Sequence, residues 1–366
     1  MDIIITSPSL DPKENVSGIS SVTKFIVDNN EEMRYLHFVL GKKDTEKGGW
    51  HRIPALMRKY KEWKQMLRDH PEAIVHYNFP LSKASLLRDP WFIRYAVKHS
   101  RRMVVHVHGG LFLTAPKIPC YLRRIMLWVF GMNLTFIVLS DMEKQILRER
   151  FGAKHVVSLP NCIDLSDAKD YAMHSKESGL DIDVANKMLP LRIGYLGRIE
   201  PNKGMTELLI ACQRLKKEEF RFSLALAGKE QKEGEYLPLF DRWVGDSFHY
   251  VGLVSGKTKC EFLRNLDVFV MPTYFEGLPM SLLECMSYGV VPIVTPVGSI
   301  PQVVKDGENG VFVAVKDVDS IVNAIRQLSA ERDSLKHMGE NARQTIFSQF
   351  SPIRYIETLN SIYRGL

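Results

Sequence analysis

The chain has 366 residues, 45% of them hydrophobic and 25% charged, and a formal net charge of +7. That length accommodates two domains of ordinary size, each able to bury its own core, and no low-complexity tract or internal repeat points to a disordered or solenoid chain. The five cysteines (Cys120, Cys162, Cys212, Cys260 and Cys285) are odd in number and lack a Cys-x-x-Cys pair, which argues against a disulfide framework and for reduced thiols in a cytosolic protein.

The chain opens directly on an apolar run from Asp2 to Thr6, which leaves no room for the charged and apolar regions of a signal peptide. Further strand-like runs extend from Tyr35 to Leu40, Ala73 to Tyr77, Met103 to Val107, Leu134 to Leu139 and His155 to Leu159, with helical patterns between them. The most apolar stretch, Ile125 to Leu139, is interrupted by Gly131, Asn133 and Thr135. It also falls short of the about 20 residues of a spanning helix, so it is expected to be a helix end followed by a buried strand. From about Ser166 the chain turns polar and irregular, and we place an interdomain connection at 171–190, between a first domain at 1–170 and a second at 191–350. The second domain restarts the alternation with runs from Leu191 to Leu196, Phe222 to Ala227, Phe248 to Val251, Asp267 to Met271, Val291 to Thr295 and Val311 to Val313. Such alternation is the signature of parallel βαβ units, so the fold class is α/β with two doubly wound domains. A closing helix at 351–366, with Ile353, Ile356, Leu359 and Ile362 on one face, is expected to pack on one of them.

Charge is unevenly spread. Met1 to Leu180 holds 27 Lys and Arg against 19 Asp and Glu, and Lys42 to Arg124 holds 18 against 6. That basic region also carries Trp50, Trp63, Trp91, Phe92, Tyr121 and Trp128. Cations interleaved with aromatics suit an anionic membrane surface or a phosphate-bearing acceptor; the plain alternative is a solvated basic face. No nucleic-acid-binding motif accompanies the charge.

The segment Glu276-Gly277-Leu278-Pro279-Met280-Ser281-Leu282-Leu283-Glu284 follows the buried run that ends at Met271. Pro279 suits a first helical residue, so Glu276 and Gly277 lie in a strand-to-helix turn, at the carboxyl edge where open α/β sheets bind ligands. The amides of Met280 and Ser281 then face an anion. Glu284, among apolar neighbours, needs a partner such as a pair of hydroxyls. Two glutamates at this spacing also occur as simple helix-dipole partners. The turn Gly197-Arg198-Ile199-Glu200-Pro201-Asn202-Lys203-Gly204 holds two cations at another carboxyl edge; beside the plain alternative of an ordinary charged loop, Arg198 in a bidentate manner and Lys203 as a point charge can clamp a diphosphate there. They neutralise a leaving diphosphate without a metal. Of the Asp-x-Asp pairs, Asp181-Ile182-Asp183 lies in the polar connection and Asp317-Val318-Asp319 starts a helix, where aspartates cap; no catalytic metal is expected. Alternation puts His106 and His108 on the same side of a strand that ends at Gly109, with His108 nearer the carboxyl edge and His106 a satisfied buried histidine. No further ligand completes a zinc site. Gly18, in Ser17-Gly18-Ile19, opens a helix and lets backbone approach a ligand.

Taken together, these segments resemble the retaining GT-B glycosyltransferases of family four. So do Leu139-Ser140-Asp141, Leu159-Pro160-Asn161-Cys162-Ile163-Asp164, Ala227-Gly228-Lys229, Val251-Gly252 and the run from Gly307 to Val313. The resemblance implies two Rossmann-like domains facing a central cleft, an acceptor domain first and a nucleotide-sugar domain second, with the C-terminal helix crossing back to the first. It implies that Arg198 and Lys203 hold the donor diphosphate beside Gly197, and that Glu284 holds the ribose. Glu276 with the backbone of Gly277, Leu278, Pro279, Met280 and Ser281 takes the sugar and phosphate, and Gly228 and Gly252 line the base pocket. Gly18 and His108 approach the diphosphate and sugar from the first domain. The implied catalytic set is Glu276, His108, Arg198 and Lys203. Two departures stand out: Cys162 replaces the family's usual glycine in that turn, and Gly18 lacks its usual glycine neighbour.

The function implied is retaining transfer of a hexosyl unit from a UDP- or GDP-sugar to an acceptor hydroxyl without cofactor or metal, and the basic aromatic face of the first domain points to a lipid-linked or surface polysaccharide intermediate as the acceptor. The expected location is the cytoplasm, peripheral on the inner face of the cell membrane, with no nucleic acid partner. A nucleotide-sugar epimerase or phosphorylase of the same architecture stays open as an alternative, as does a catalytically silent partner subunit.

Overall fold

A computed structural model of the chain describes residues 1–366 except Pro12, Val16, 43–45, 47, 48, 50, 51, Pro116 and 178–188. Met1–Cys162 with Pro352–Leu366 form one compact unit, and Ile163–Ser351 form a second.

The first unit is a parallel sheet of β1 (Asp2–Ser7), β2 (Arg34–Val39), β3 (Ile74–Phe79), β4 (Met103–Val107), β5 (Thr135–Val138) and β6 (His155–Ser158), in the order β2-β1-β3-β4-β5-β6. Its helices are α1 (Gly18–Asn29), α2 (Ile53–Asp69), α3 (Lys83–Lys98), the single turn α4 (Leu111–Thr114), α5 (Cys120–Phe130) and α6 (Asp141–Phe151). Every residue of β3 and β4 is buried, as expected where helices cover both faces of a parallel sheet. The cost of burying polar groups there is offset by pairing: the Asn78 side chain donates to Thr6 O (2.7 Å) and Thr23 Oγ1 (3.0 Å).

In the second unit α7 (Ser166–Glu177) precedes β7 (Leu191–Leu196), α8 (Met205–Lys217), β8 (Phe222–Ala227), α9 (Leu237–Val244), β9 (Phe248–Gly252), α10 (Gly256–Arg264), β10 (Val268–Met271) and α11 (Met280–Ser287). Then come β11 (Val291–Val294), α12 (Ile300–Val303), β12 (Val311–Phe312), α13 (Val318–Ala330) and α14 (Arg332–Gln349). The sheet order is β12-β11-β10-β7-β8-β9. β7 therefore lies between β10 and β8, and the strand order reverses between β7 and β10.

Three local features differ from the sequence expectation. The segment read as irregular from Ser166 contains α7, which packs in the second unit through Ala168 and Ala172. The last helix, α15 (Pro352–Arg364), buries the stripe Tyr355, Leu359 and Tyr363 and leaves Ile353 71% exposed. A register at i, i+4, i+8 serves that helix because polar groups at its C-terminal end find partners in the core, although the Tyr355 hydroxyl is buried with no hydrogen-bond partner among the described residues. Tyr363 Oη lies 2.6 Å from His76 Nδ1, and Asn360 exchanges hydrogen bonds of 2.7 and 3.2 Å with Asn30. The basic aromatic region also divides. Trp63 and Phe92 are core residues, the Trp63 indole donating to Phe92 O at 3.1 Å, whereas Trp91, Tyr121 and Trp128 are exposed. A side chain as large as Trp63 gains about 3 kcal/mol from such burial, so helical periodicity sends the aromatics to opposite faces although they interleave with the same cations. Trp50 lies outside the described residues, as do Asp181, Ile182 and Asp183. Asp317 caps α13, accepting from Asp319 N (3.0 Å) and Ser320 N (3.2 Å).

Candidate functional site

In the second unit the singled-out residues gather at the carboxyl ends of β7 and β10, the two neighbouring strands at which the sheet order turns back. Ligands of open α/β sheets settle at such a point because the two loops leave toward opposite faces and open a crevice. The loop after β7 runs through Gly197 and Arg198 to a 3-10 turn at Pro201–Lys203, and Gly204 then starts α8 in the left-handed region (φ 73°). A Cβ on Gly204 would stand 2.2 Å from Pro272 O, so only glycine lets this loop lie against the end of β10.

The loop after β10 is tied to it. Asn202 O accepts from Tyr274 N (2.9 Å) and Thr273 Oγ1 (3.2 Å), and the Tyr274 hydroxyl donates to the Glu207 carboxylate of α8 at 2.8 Å. Burial, then that carboxylate, pushes the Tyr274 hydroxyl up to about 12. The ties bring the Lys203 ammonium onto the Glu276 carboxylate in an ion pair whose side chains are 20% and 16% exposed. The sequence reading assigned these two residues separate roles; the structure makes them direct neighbours. Beneath them Tyr195 donates to Arg198 O (2.5 Å), and burial followed by Glu276 and Glu200 raises its pKa.

Pro279 is the cap of α11 rather than its first residue. Its φ of −67° suits either position, but its ψ of 126° is extended, so the helix begins at Met280. Leu278 and Pro279 are buried, whereas Gly277, Met280 and Ser281 are half-buried. The first amides of a helix have no carbonyl four residues earlier, so this end offers N–H donors and the positive end of the dipole. One turn into α11, Glu284 accepts a hydrogen bond from Lys259 Nζ at 2.7 Å. Burial opposes the charge on Lys259, but the Glu284 carboxylate outweighs it and the lysine pKa is raised.

Gly228 and Gly252 meet at the ends of β8 and β9. Gly228 N donates to Gly252 O (2.8 Å), the Tyr250 hydroxyl donates to Gly228 O (2.8 Å), and a Cβ on Gly228 would stand 1.8 Å from Gly197 O. These two glycines therefore border the Gly197 loop.

The sequence reading missed two contributors. Lys259 stands three and four residues before the buried Phe262 and Leu263 of α10, an inward helical position where a lysine requires a partner; that spacing was available as a signal. Gly298, in the loop after β11, presses on the glutamate loop: a Cβ there would lie 2.0 Å from Glu276 O, and Ser299 N donates to Gly277 O at 2.9 Å. Nothing in the local sequence ties residue 298 to residue 276.

In the first unit, His106 and His108 share a side of β4 as alternation requires, stacked with ring centroids 4.1 Å apart. His108 Nε2 donates to Asn78 Oδ1 at 2.6 Å, and burial together with His76 pushes its pKa down to about 3, so the ring is neutral at pH 7. His106 is only partly satisfied: Nδ1 lies 3.2 Å from His76 Nε2, while Nε2 is buried with no hydrogen-bond partner. Gly18 opens α1 behind the Ser17 cap, which accepts from Ser20 N at 3.2 Å, and a Cβ on Gly18 would meet no atom within 4 Å. The chain's own packing therefore does not demand glycine at that position. Glu143 of α6, 1% exposed, accepts from Leu139 N at 2.8 Å, and burial lifts its pKa to about 7.

Residues 183–345 match the family of glycosyl transferases group 1. Over 171 residues the chain is 27% identical to the capsular polysaccharide biosynthesis glycosyltransferase CapM of Staphylococcus aureus, covering 47% of this chain and 45% of that protein. Over 160 residues it is 32% identical to an O-antigen chain mannosyltransferase B of Escherichia coli, covering 43% and 41%. The chain thus spans less than half the length of these curated relatives. The structure of Anabaena HepE in complex with UDP-glucose is similar over 100% of both chains, with a TM-score of 0.75 at 13% identity. At that identity the likeness establishes the fold, which is GT-B.

Proposed function

We propose, for a GT-B chain whose second unit belongs to the glycosyl transferases group 1, that it transfers a hexosyl unit from a nucleoside diphosphate sugar to an acceptor hydroxyl with retention at the anomeric carbon. The observation that carries the proposal is the convergence at the β7/β10 switch point of the Lys203–Glu276 pair, the amino end of α11 and Glu284. Arg198 and Lys203 take the diphosphate together with the α11 amides, Glu284 takes the ribose hydroxyls, and Glu276 takes hydroxyls of the transferred sugar. Gly228 and Gly252 border the base. Gly18 and His108 are the first-unit residues assigned to the diphosphate and sugar.

The acceptor oxygen bonds to the anomeric carbon as the bond from that carbon to the diphosphate oxygen breaks. The acceptor proton passes to the departing phosphate on the same face. Glu276 is a hydroxyl ligand in this scheme rather than a nucleophile; a glycosyl adduct trapped on Glu276 would overturn that assignment. Charge developing on the leaving diphosphate meets fixed cations and amides, so neither metal nor cofactor is required.

The donor is a UDP- or GDP-sugar, a choice supported by the UDP-glucose bound in HepE. The acceptor is a lipid-linked or surface polysaccharide intermediate, supported by the similarity to a capsular polysaccharide biosynthesis glycosyltransferase and an O-antigen chain mannosyltransferase. Contact with an anionic membrane draws on the first unit. Residues 83–124 hold nine Lys and Arg and one acid, Asp89, which is buried in an ion pair with Arg88. Arg94 lies 5.6 Å from the Trp128 ring centroid and joins the exposed Leu87 and Trp91 of α3 to the exposed Tyr121 and Trp128 of α5. No helix among the described residues is long and apolar enough to cross a membrane. The proposed location is cytoplasmic and peripheral. The test is calorimetric titration of UDP, GDP and ADP in EDTA, followed by sugar transfer from the nucleotide that binds. Product formed without any acceptor would replace transfer with epimerase chemistry.

A further inference from the structure

We infer that Lys259 is a positioning residue that holds Glu284 in register with the donor ribose and thereby sets a preference for ribonucleotides over their 2′-deoxy forms. The inference rests on the assignment of Glu284 to the ribose.

Lys259 and Glu284 stand on consecutive helices, α10 and α11, with the intervening β10 fixing their separation. Glu284 lies between the buried Leu283 and Cys285, and its side chain is 19% exposed. An ionised carboxylate so placed needs a nearby cation, and Lys259 Nζ supplies one at 2.7 Å. The bond engages Oε1 alone, and Oε2 has no hydrogen-bond partner among the described residues. A carboxylate offers about four lone-pair sites. Anchoring one oxygen therefore aims the other, and it fixes the rotamer before any nucleotide arrives.

This matters energetically because a long side chain ordered only on binding charges its lost rotamer freedom against affinity. A carboxylate already held by Lys259 avoids that loss and keeps its full negative charge for the hydroxyls. A hydrogen bond from a hydroxyl to a charged acceptor corresponds to roughly a ten- to hundredfold change in affinity. That is the ribose preference expected of the intact pair. A nucleotide lacking the 2′-hydroxyl forgoes part of this interaction, so its affinity should depend much less on Lys259.

The experiment titrates UDP, GDP and ADP into the full chain, then compares the tightest binder with its 2′-deoxy form in wild type, Lys259→Met, Lys259→Arg and Glu284→Gln. The expected result is a wild-type preference of at least about tenfold. It should shrink to within about threefold in Lys259→Met and Glu284→Gln and recover in Lys259→Arg. Urea midpoints of the variants guard against a merely structural effect, because loss of fold would weaken both nucleotides alike and leave their ratio intact. A Lys259→Met variant that weakens both forms equally overturns the inference while sparing the proposed function. A wild-type chain that binds a nucleotide without ribose preference overturns the role of Glu284 and the inference with it. A chain that binds none of the three overturns the proposed function itself.

Discussion

Gly298→Ala is the sharpest perturbation of the glutamate loop that substitutes none of the assigned ligands. Gly298 has φ +57°, and an added Cβ would stand 2.0 Å from Glu276 O and 2.9 Å from Gly277 O, where real Cβ contacts essentially never fall below 3.0 Å. The loop must therefore retreat by about 1 Å, the difference between those limits. Both atoms it meets are backbone, so no side chain can swing aside. The left-handed conformation alone costs an alanine about 1–2 kcal/mol. The retreat also breaks the 2.9 Å bond from Ser299 N to Gly277 O, costing about 1 kcal/mol more. A total of about 2–3 kcal/mol should lower the urea midpoint by roughly 1 M at a slope of about 2–3 kcal/mol/M. Nucleotide affinity should fall as well, because the displaced backbone at Gly277 leads into the amino end of α11, whose amides are assigned to the diphosphate. Gly307→Ala is the control: φ is +75°, yet a Cβ there meets nothing within 4 Å, so only the conformational cost of about 1–2 kcal/mol applies. Equal midpoint shifts in the two variants, with nucleotide affinity unchanged in Gly298→Ala, would refute the collision argument.

Four further outcomes are expected. Glu276→Gln should slow sugar transfer roughly ten- to hundredfold through loss of a charge-assisted hydrogen bond while nucleotide affinity, read by calorimetry, stays near wild type; Arg198→Ala should lower both, and wild-type transfer by either variant would remove these residues from the site. Transfer should survive EDTA, and a rate that returns only on adding Mn²⁺ or Mg²⁺ after chelation would contradict the metal-free scheme. Glu143 keeps its proton to about pH 7 when folded but loses it near 4.5 when unfolded. Between those values the unfolded state binds fewer protons, so stability should decline as pH rises and level off above 7; Glu143→Gln should remove that slope and gain on the order of 3 kcal/mol over wild type at pH 8, whereas parallel midpoint curves from pH 4.5 to 8 would disprove it. Sedimentation with anionic vesicles should weaken at high salt and in a Trp91→Ser, Trp128→Ser double variant, and retention of that variant on vesicles would move the contact elsewhere.

Much of this architecture was legible in the chain itself. The twelve strands among the described residues lie within two residues of the apolar runs, because strands covered on both faces, such as β3 and β4, are buried throughout and so mostly apolar, and Gly, Pro and polar clusters mark strand ends. The segments holding Glu276, Glu284, Arg198 and Lys203 were readable for a related reason: each sits where a buried run gives way to a helix, and that junction is local in sequence. Periodicity misled where a face is chosen by partners rather than by hydrophobicity. The stripe with Ile353 looked like the buried face of the last helix, but His76 and Asn30 drew Tyr363 and Asn360 inward instead.

By itself, then, the chain determined two rounds of strand and helix, the turns that bear the charged residues, and the basic excess of the first half. Tertiary structure alone decided that β7 and β10 are neighbours although 71 residues separate Leu196 from Asp267. It therefore decided that Lys203 meets Glu276, that Lys259 meets Glu284, and that Gly298 lies against the glutamate loop. Periodicity reports only which face of an element is buried. Which strand lies beside which is set by the packing of the whole sheet, and pairings between distant residues follow from that order.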